Sequence, residues 1–226
     1  MRFHIVTIFP EMFDSYLSES IIGRAIKEKK IFVKFYNPRD YIKAPKNNYK
    51  PVDDKPYGGG PGMVMRPEPI LKTIEVIFRK ITNYELRTKG KKTKTLIINF
   101  VPSAEKFTTT YAKTISKKYM DVILICGRYE GIDARVDKIL KPKKLSIGDY
   151  VVTGGEIPAM ILIDCVSRQI KGVLGNFLSR EEERISSSEV YTRPEILKYK
   201  NKNYRVPKVL LSGNHKDIEQ WKKSKK

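Results

Sequence analysis

A chain of 226 residues, 40% of them apolar, is long enough to bury a sizeable core as one large domain or as one domain with an appendage. Its formal charge is +20, with 45 Lys and Arg against 25 Asp and Glu. That balance suits a polyanionic partner, although general lysine enrichment produces it too. No run of ~18 uncharged apolar residues is present to span a membrane. The two cysteines, Cys126 and Cys165, lie in apolar segments and show no metal-ligand spacing, so a reducing, cytoplasmic setting is expected.

The N-terminal MRFHIVTIFPEMF has a single Lys or Arg and no small-residue cleavage site, so FHIVTIF reads as a buried first strand and not as a signal peptide. Helical spacing follows in PEMFDSYLSESIIGRAIKEKK, then a second strand in KIFVKFY. Residues 38–62 read as a long polar loop rich in Pro and Gly. RPEPILKTIEVIFRKI is a helix opened by proline. TLIINF, a helical stretch near 104–118, DVILIC and a helix near 132–140 come next. This alternation predicts an α/β fold, a mostly parallel sheet with helices on both faces. Ligands bind such sheets beyond the carboxyl ends of strands, which directs attention to the residues just after TLIINF, DVILIC and KLSIGDY.

Residues 155–170, GEIPAMILIDCVSRQI, form a helix apolar on nearly every side, to be buried within the domain or across a subunit interface. The expected organisation is a domain over 1–175, a charged, serine-rich linker over 176–191 and a small basic helical segment over 192–226. In that last segment SGNHKDIEQW resembles a capped short helix. Residues 189–226 carry 11 Lys and Arg against 4 Asp and Glu, either a phosphate-binding surface or a frayed tail. No internal repeat is visible.

Three glycine-bearing loops can hold a ligand. In DDKPYGGGPGM, residues 53–63, Gly58, Gly59, Gly60 and Gly62 permit positive φ and close approach; the loop matches no phosphate-loop spacing and is otherwise a flexible turn. In CGRYEGID, residues 126–133, Tyr129 offers a stacking face and Glu130 a carboxylate for an amine. The plainer reading is a surface turn with an Arg128–Glu130 pair. In SIGDYVVTGGEIPAM, residues 146–160, backbone N–H and C=O groups can bind an adenine edge, or the segment is a tight strand-to-helix connection.

Together with YTRP and LLSGNH, these loops closely resemble the bacterial tRNA (guanine-N1)-methyltransferases, the TrmD type of the SPOUT class, in register from residue 1 to about residue 221. The resemblance implies a deep trefoil knot in the C-terminal part of the α/β domain. It implies S-adenosylmethionine as methyl donor, held at Phe100, Val101, Gly127, Tyr129, Glu130, Ile147, Gly148, Asp149, Tyr150, Val151, Val152, Gly154, Gly155 and Pro158. It further implies tRNA as substrate, with Gly58, Gly59, Arg193 and Lys208 as contacts, and a homodimer whose active site lies at the subunit interface. A divalent cation such as magnesium is compatible with it. The implied reaction methylates N1 of the guanine immediately 3′ of the anticodon. Guanine N1 carries a proton at neutral pH, so a base must remove it, and negative charge then develops on O6. The family's arginine matches Arg168, and its aspartate, fifteen residues later, falls on Glu183 within REEER. Glu182 takes that place if the linker shifts by one. Arg168 is also one turn from Asp164, and an i,i+4 pair would account for both structurally.

The chain departs from the family pattern in several places. Glutamate in place of aspartate displaces the carboxylate by roughly 1 Å, a shift that can cost about 10²-fold. FVPSAEKF has Pro102 before Ser103 and puts Glu105 near the usual glycine, which removes or moves one cofactor contact. The linker before Tyr191 is shorter than usual, and only five residues follow Trp221, implying a reduced tRNA-gripping segment. Two alternatives stay open: a catalytically impaired RNA-binding relative of the same fold, and a SPOUT enzyme acting on ribosomal RNA or on ribose.

Overall fold

The structure, a computed structural model, describes residues 1–44, 49–88, 94–175 and 188–225. The chain divides into two units, Met1–Gly175 and Asn176–Lys226. In chain order the first contains β1 (Arg2–Val6), a 3-10 turn at Pro10–Phe13, α1 (Asp14–Ser18), α2 (Ser20–Lys27), β2 (Phe32–Tyr36), a second 3-10 turn at Pro38–Tyr41, β3 (Asp53–Asp54), β4 (Val64–Met65) and α3 (Pro67–Arg87). β5 (Thr95–Phe100), α4 (Thr109–Lys118), β6 (Asp121–Ile125), α5 (Ala134–Leu140), β7 (Lys143–Leu145) and α6 (Glu156–Ser167) follow.

Five strands pair in the order β2-β1-β6-β5-β7, every neighbouring pair parallel. The central strand β6 is buried along its whole length because both faces of the sheet are covered. Alternate residues of β6 therefore enter different cores. Val122 and Leu124 join a layer with Phe13, Ile22, Ile115, Leu162 and Val166, under α2, α4 and α6. Ile123 and Ile125 pack with Ile70, Ile74, Ile77 and Val136, under α3 and α5. At the amino ends of the strands the fully buried Asp121 accepts two hydrogen bonds from Arg2, at 2.6 and 2.5 Å, and lies 3.0 Å from His4 Nε2. That network closes the end of the sheet opposite the ligand loops.

Three expectations need adjustment. The run from Pro10 to Lys30 is not one helix: Glu19 is extended and Ser20 has φ 53°, so the chain breaks between α1 and α2. Gly23 allows the break, since a Cβ there would lie 2.3 Å from the Ser18 carbonyl oxygen. The apolar helix stops at Ser167, leaving Arg168 as its C-cap; within this chain one side is buried, with Ile157 45% exposed. Finally, the second unit is not purely helical. Its described residues contain an antiparallel hairpin of β8 (Ile196–Tyr199) and β9 (Lys202–Arg205), followed by α7 (Lys208–Leu211) and α8 (His215–Ser224), the latter capped by Asn214.

Candidate functional site

The loops leaving β5, β6 and β7 at their carboxyl ends enclose a cavity of about 460 Å³, within the range of small-molecule sites. Phe100 and Val101 line it from the first loop, Gly127, Tyr129 and Glu130 from the second, and Ile147, Tyr150, Val151, Val152, Gly154, Gly155 and Pro158 from the third. Gly148 and Asp149 belong to the third loop but not to the wall; Asp149 turns to Lys106, 2.5 Å away. Pro102 contributes to the lining, while Glu105 is bound to Lys143.

Close packing fixes these loops. After edge strand β7 the chain returns across the end of β5, and the Gly155 N–H donates to the Gly127 carbonyl at 2.9 Å. A Cβ on Gly155 would lie 2.5 Å from Cys126 Cα and 2.9 Å from Gly127 N, so only glycine fits. The next residue, Glu156, is fully buried in the first turn of α6, where the helix dipole favours a carboxylate. Thr7 donates to its Oε1 at 2.7 Å, and Arg128 Nε lies 2.9 Å from Oε2 as a charge contact without hydrogen-bond alignment. The Arg128 guanidinium also sits 4.8 Å from the centroid of the Phe9 ring. Arg128 is thus tied to Glu156 and not to its neighbour Glu130. Burial, followed by the Glu156 charge, pushes the Cys126 thiol well above its ordinary pKa, which makes it a packing group.

The glycine-rich segment is stitched to the second loop. Glu130 N–H donates to Met63 O, Met65 N–H to Gly131 O and Asp133 N–H to Met65 O, at 2.9, 2.9 and 3.0 Å. Gly62, at φ 83°, lies against the Glu130 side chain, and a Cβ there would come within 2.6 Å of the Glu130 carboxylate. Tyr129 holds φ 60°, a backbone state rare for a bulky residue. Partial burial and then the carboxylate of Asp53 push its phenol pKa upward. Gly58 and Gly59, both at positive φ, have open space around them.

A polar set that sequence reasoning missed completes the wall: Asp137 accepts from Asn99 Nδ2 at 3.1 Å and pairs with Lys144 Nζ at 2.7 Å. Arg128 and Glu156 were missed in these roles as well. The glutamate in GGEIPAM was the available signal, because a charge in so apolar a helix needs a partner. Arg168 is half-buried at the end of α6, and its N–H donates to the Asp164 carbonyl at 3.0 Å. The Asp164 carboxylate accepts from Tyr16 OH, whose pKa burial and this bond raise. Glu183, Glu182 and the rest of REEER lie outside the described residues. Arg193 and Lys208 belong to the second unit, both exposed. Among the described residues, no three His, Cys, Asp or Glu are grouped as a metal ion requires, and no helix is long and apolar enough to cross a membrane.

A family model described as tRNA (Guanine-1)-methyltransferase TrmD matches residues 1–226. The tRNA (guanine-N(1)-)-methyltransferase of Clostridioides difficile is 44% identical over 227 residues, covering 99% of this chain and 91% of its own. Its namesake from Buchnera aphidicola is 41% identical over 224 residues, covering 97% and 87%. The crystal structure of tRNA (m1G37) methyltransferase from Aquifex aeolicus matches with a TM-score of 0.71 at 39% identity, covering 99% of this chain and 88% of that one.

Proposed function

The chain belongs to the TrmD family of tRNA (guanine-1)-methyltransferases, and on that premise we propose that it methylates N1 of the guanine immediately 3′ of the anticodon in tRNA, with S-adenosylmethionine as donor. The observation that carries this reading is the cavity at the carboxyl ends of β5, β6 and β7, walled by residues of CGRYEGID and SIGDYVVTGGE, which bear the family's motifs, and by the loop after β5. Its character suits the donor. Gly155 is packed so closely that the loop backbone itself forms the wall, and the N–H and C=O groups of residues 150–152 are offered to an adenine edge. Glu130 supplies a carboxylate for the donor's amine, and Tyr129 a ring face. When bound, the donor supplies an electrophilic methyl group on a sulfonium centre.

The remaining steps fall to side chains of this chain. Glu183 takes the N1 proton, and the Arg168 guanidinium stabilises the charge that develops on O6. The guanine leaves its stack to reach the cavity, against Gly58 and Gly59. Arg193 and Lys208 engage phosphates. In this reading the C-terminal part of the first unit carries the family's trefoil knot, and the protein acts in the cytoplasm as a homodimer with its active site at the interface. The exposed apolar residues Phe9, Met12 and Ile157, at 42%, 41% and 45%, give a second copy an apolar surface to cover.

The test is methyl transfer from labelled S-adenosylmethionine to two transcripts of one tRNA that differ only in guanine or adenine immediately 3′ of the anticodon. Incorporation into the guanine transcript alone is expected, and Glu183→Gln should abolish turnover while cofactor affinity stays at the parent value. Turnover of that variant at the parent rate would assign the base elsewhere. No incorporation by the parent, with cofactor and tRNA both bound, would make it a non-catalytic RNA-binding relative.

A further inference from the structure

The β8–β9 hairpin is a feature that the catalytic reading does not use. Its two-residue turn places Lys200 and Asn201 at φ 44° and 59°, so both central residues are left-handed, as in turns whose twist matches paired strands. The register sets Leu197 opposite Tyr204 and Tyr199 opposite Lys202. These four residues share one face. Leu197, Tyr199 and Tyr204 are 56%, 58% and 53% exposed, so among the described residues nothing buries that face. A two-stranded hairpin in water is only marginally stable by itself, and one that displays its aromatic residues gains from a partner.

Charge and shape indicate the partner. Residues 196–205 contain Lys198, Lys200, Lys202 and Arg205 and no acidic residue; Lys202 shares the aromatic face, Lys200 sits in the turn and Lys198 and Arg205 lie on the opposite face, so the hairpin as a whole attracts a polyanion. Lys200 Nζ lies 5.5 Å from the centroid of the Tyr199 ring, placing a cation beside an aromatic face. Alternating aromatic and basic side chains are how proteins grip unpaired nucleotides, stacking bases while neutralising the backbone. Tyr199 and Tyr204 are diagonal neighbours across the hairpin, a relation that separates residues by about 7–8 Å. That is about twice the ~3.4 Å spacing of stacked bases, so one base fits between the two positions. A paired A-form stem offers no free base face. We propose that the face bearing Leu197, Tyr199, Lys202 and Tyr204 stacks an unpaired base of the tRNA, which rests on tRNA being the substrate and adds a contact outside the catalytic pocket.

The full-length protein tests this with one tRNA transcript, measuring tRNA Kd across a salt series alongside kcat, KM and cofactor Kd. The Tyr199→Ala/Tyr204→Ala double variant should bind tRNA roughly 5- to 150-fold more weakly per stacked base lost. Its dependence of log Kd on log salt should be unchanged, as should kcat at saturating tRNA and the cofactor Kd. Tyr199→Phe/Tyr204→Phe keeps the ring faces and should bind like the parent. Lys200→Ala/Lys202→Ala should instead flatten the salt dependence by about 0.7 per phosphate released from a single strand. Alanine variants with the parent's tRNA affinity would overturn the proposal while a methylating parent left the function standing. Equal loss in the Phe and Ala variants would overturn it too, because stacking would then not be the cause. So would a change of oligomeric state in the Ala variant, which would identify a second copy as the occupant. A parent that fails to methylate but loses tRNA affinity on Tyr→Ala would retain the hairpin contact and remove the catalytic reading.

Discussion

Two glutamates, one in each unit, pair with a cation at the same distance, 2.9 Å, in opposite surroundings. The Glu156 side chain is 1% exposed and that of Arg128 16%; for Glu189 and Lys225 the values are 41% and 43%. The contrast extends to whole regions. Residues 1–175 hold two buried apolar layers and fix loop backbones against each other to within a hydrogen-bond length, whereas among the described residues 188–225 none is fully buried. A small donor of defined shape calls for a rigid, dry wall that discriminates by fit. A long polyanion calls for charge spread over a surface, where water and salt compete and individual positions matter less. On the proposed function, the basic excess of residues 189–226 serves binding and not folding.

Mutating the two glutamates tests that contrast at its strongest point. Glu156→Ala leaves the Arg128 charge poorly solvated and uncompensated, and removing one partner of a buried pair costs about 3–5 kcal/mol. It should lower the melting temperature sharply and weaken cofactor binding through the N-terminus of α6. Glu189→Ala, by contrast, should leave the melting temperature unchanged. Equal effects would mean that Arg128 finds water once Glu156 is gone. Glycines give the next largest difference. Gly155→Ala drives a methyl group into the backbone of Cys126 and Gly127, an overpacking worth about 1–3 kcal/mol, and should reduce cofactor affinity by about tenfold or more in calorimetry. Gly213, at φ 72° with nothing within 4 Å, faces only backbone strain. Gly213→Ala should therefore cost about 1–2 kcal/mol and leave cofactor affinity as it was.

The same contrast explains what could be read in advance. The strands TLIINF and DVILIC were legible because a parallel strand covered on both faces is a continuous apolar run, and their carboxyl ends pointed to the cavity. The glycines of CGRYEGID and SIGDYVVTGGE marked its walls, and most positions named from the family pattern lie on them. Pairings between segments distant in sequence were not legible. Arg128 had Glu130 two residues away, but its partner is Glu156, brought close only by the return of the chain after β7. Asp164 had Arg168 one turn away, but its carboxylate is taken by Tyr16. The hairpin escaped notice because ILKYKNKNYR alternates lysine with tyrosine, so no apolar face stands out, and its turn lacks the glycine that usually announces one.

Salt separates the two regions by a smaller but cleaner measure. If Arg193 and Lys208 each hold a phosphate, replacing either by alanine should reduce the slope of log affinity for tRNA against log salt by about 0.9 on paired RNA treated as a duplex. Cofactor affinity, which the proposed function assigns to residues 1–175, should not change. A parental slope in both variants would mean that neither cation touches the backbone.

The finest distinction lies in two helix caps. Asp133 caps α5, accepting from the Arg135 N–H at 2.9 Å, and its carboxylate also binds the Arg135 guanidinium at 2.9 and 2.7 Å. Those guanidinium bonds are the main reason its pKa falls from 3.8 to about 2. A carboxylate whose folded pKa is depressed stabilises the fold fully above its unfolded pKa, and that contribution disappears as pH falls through the folded value. The Asp133 contribution should therefore be complete above about pH 4 and be lost toward pH 2. Asn214, which caps α8 by accepting from the Lys216 N–H at 3.1 Å, is not ionisable, so acid does not act through that cap. Asp133→Asn retains a good capping residue while removing the charge, so melting temperatures of parent and variant should converge as pH is lowered from 5 to 2. Parallel melting curves over that interval would mean that the Arg135 pair adds nothing to stability and that the cap alone holds the start of α5.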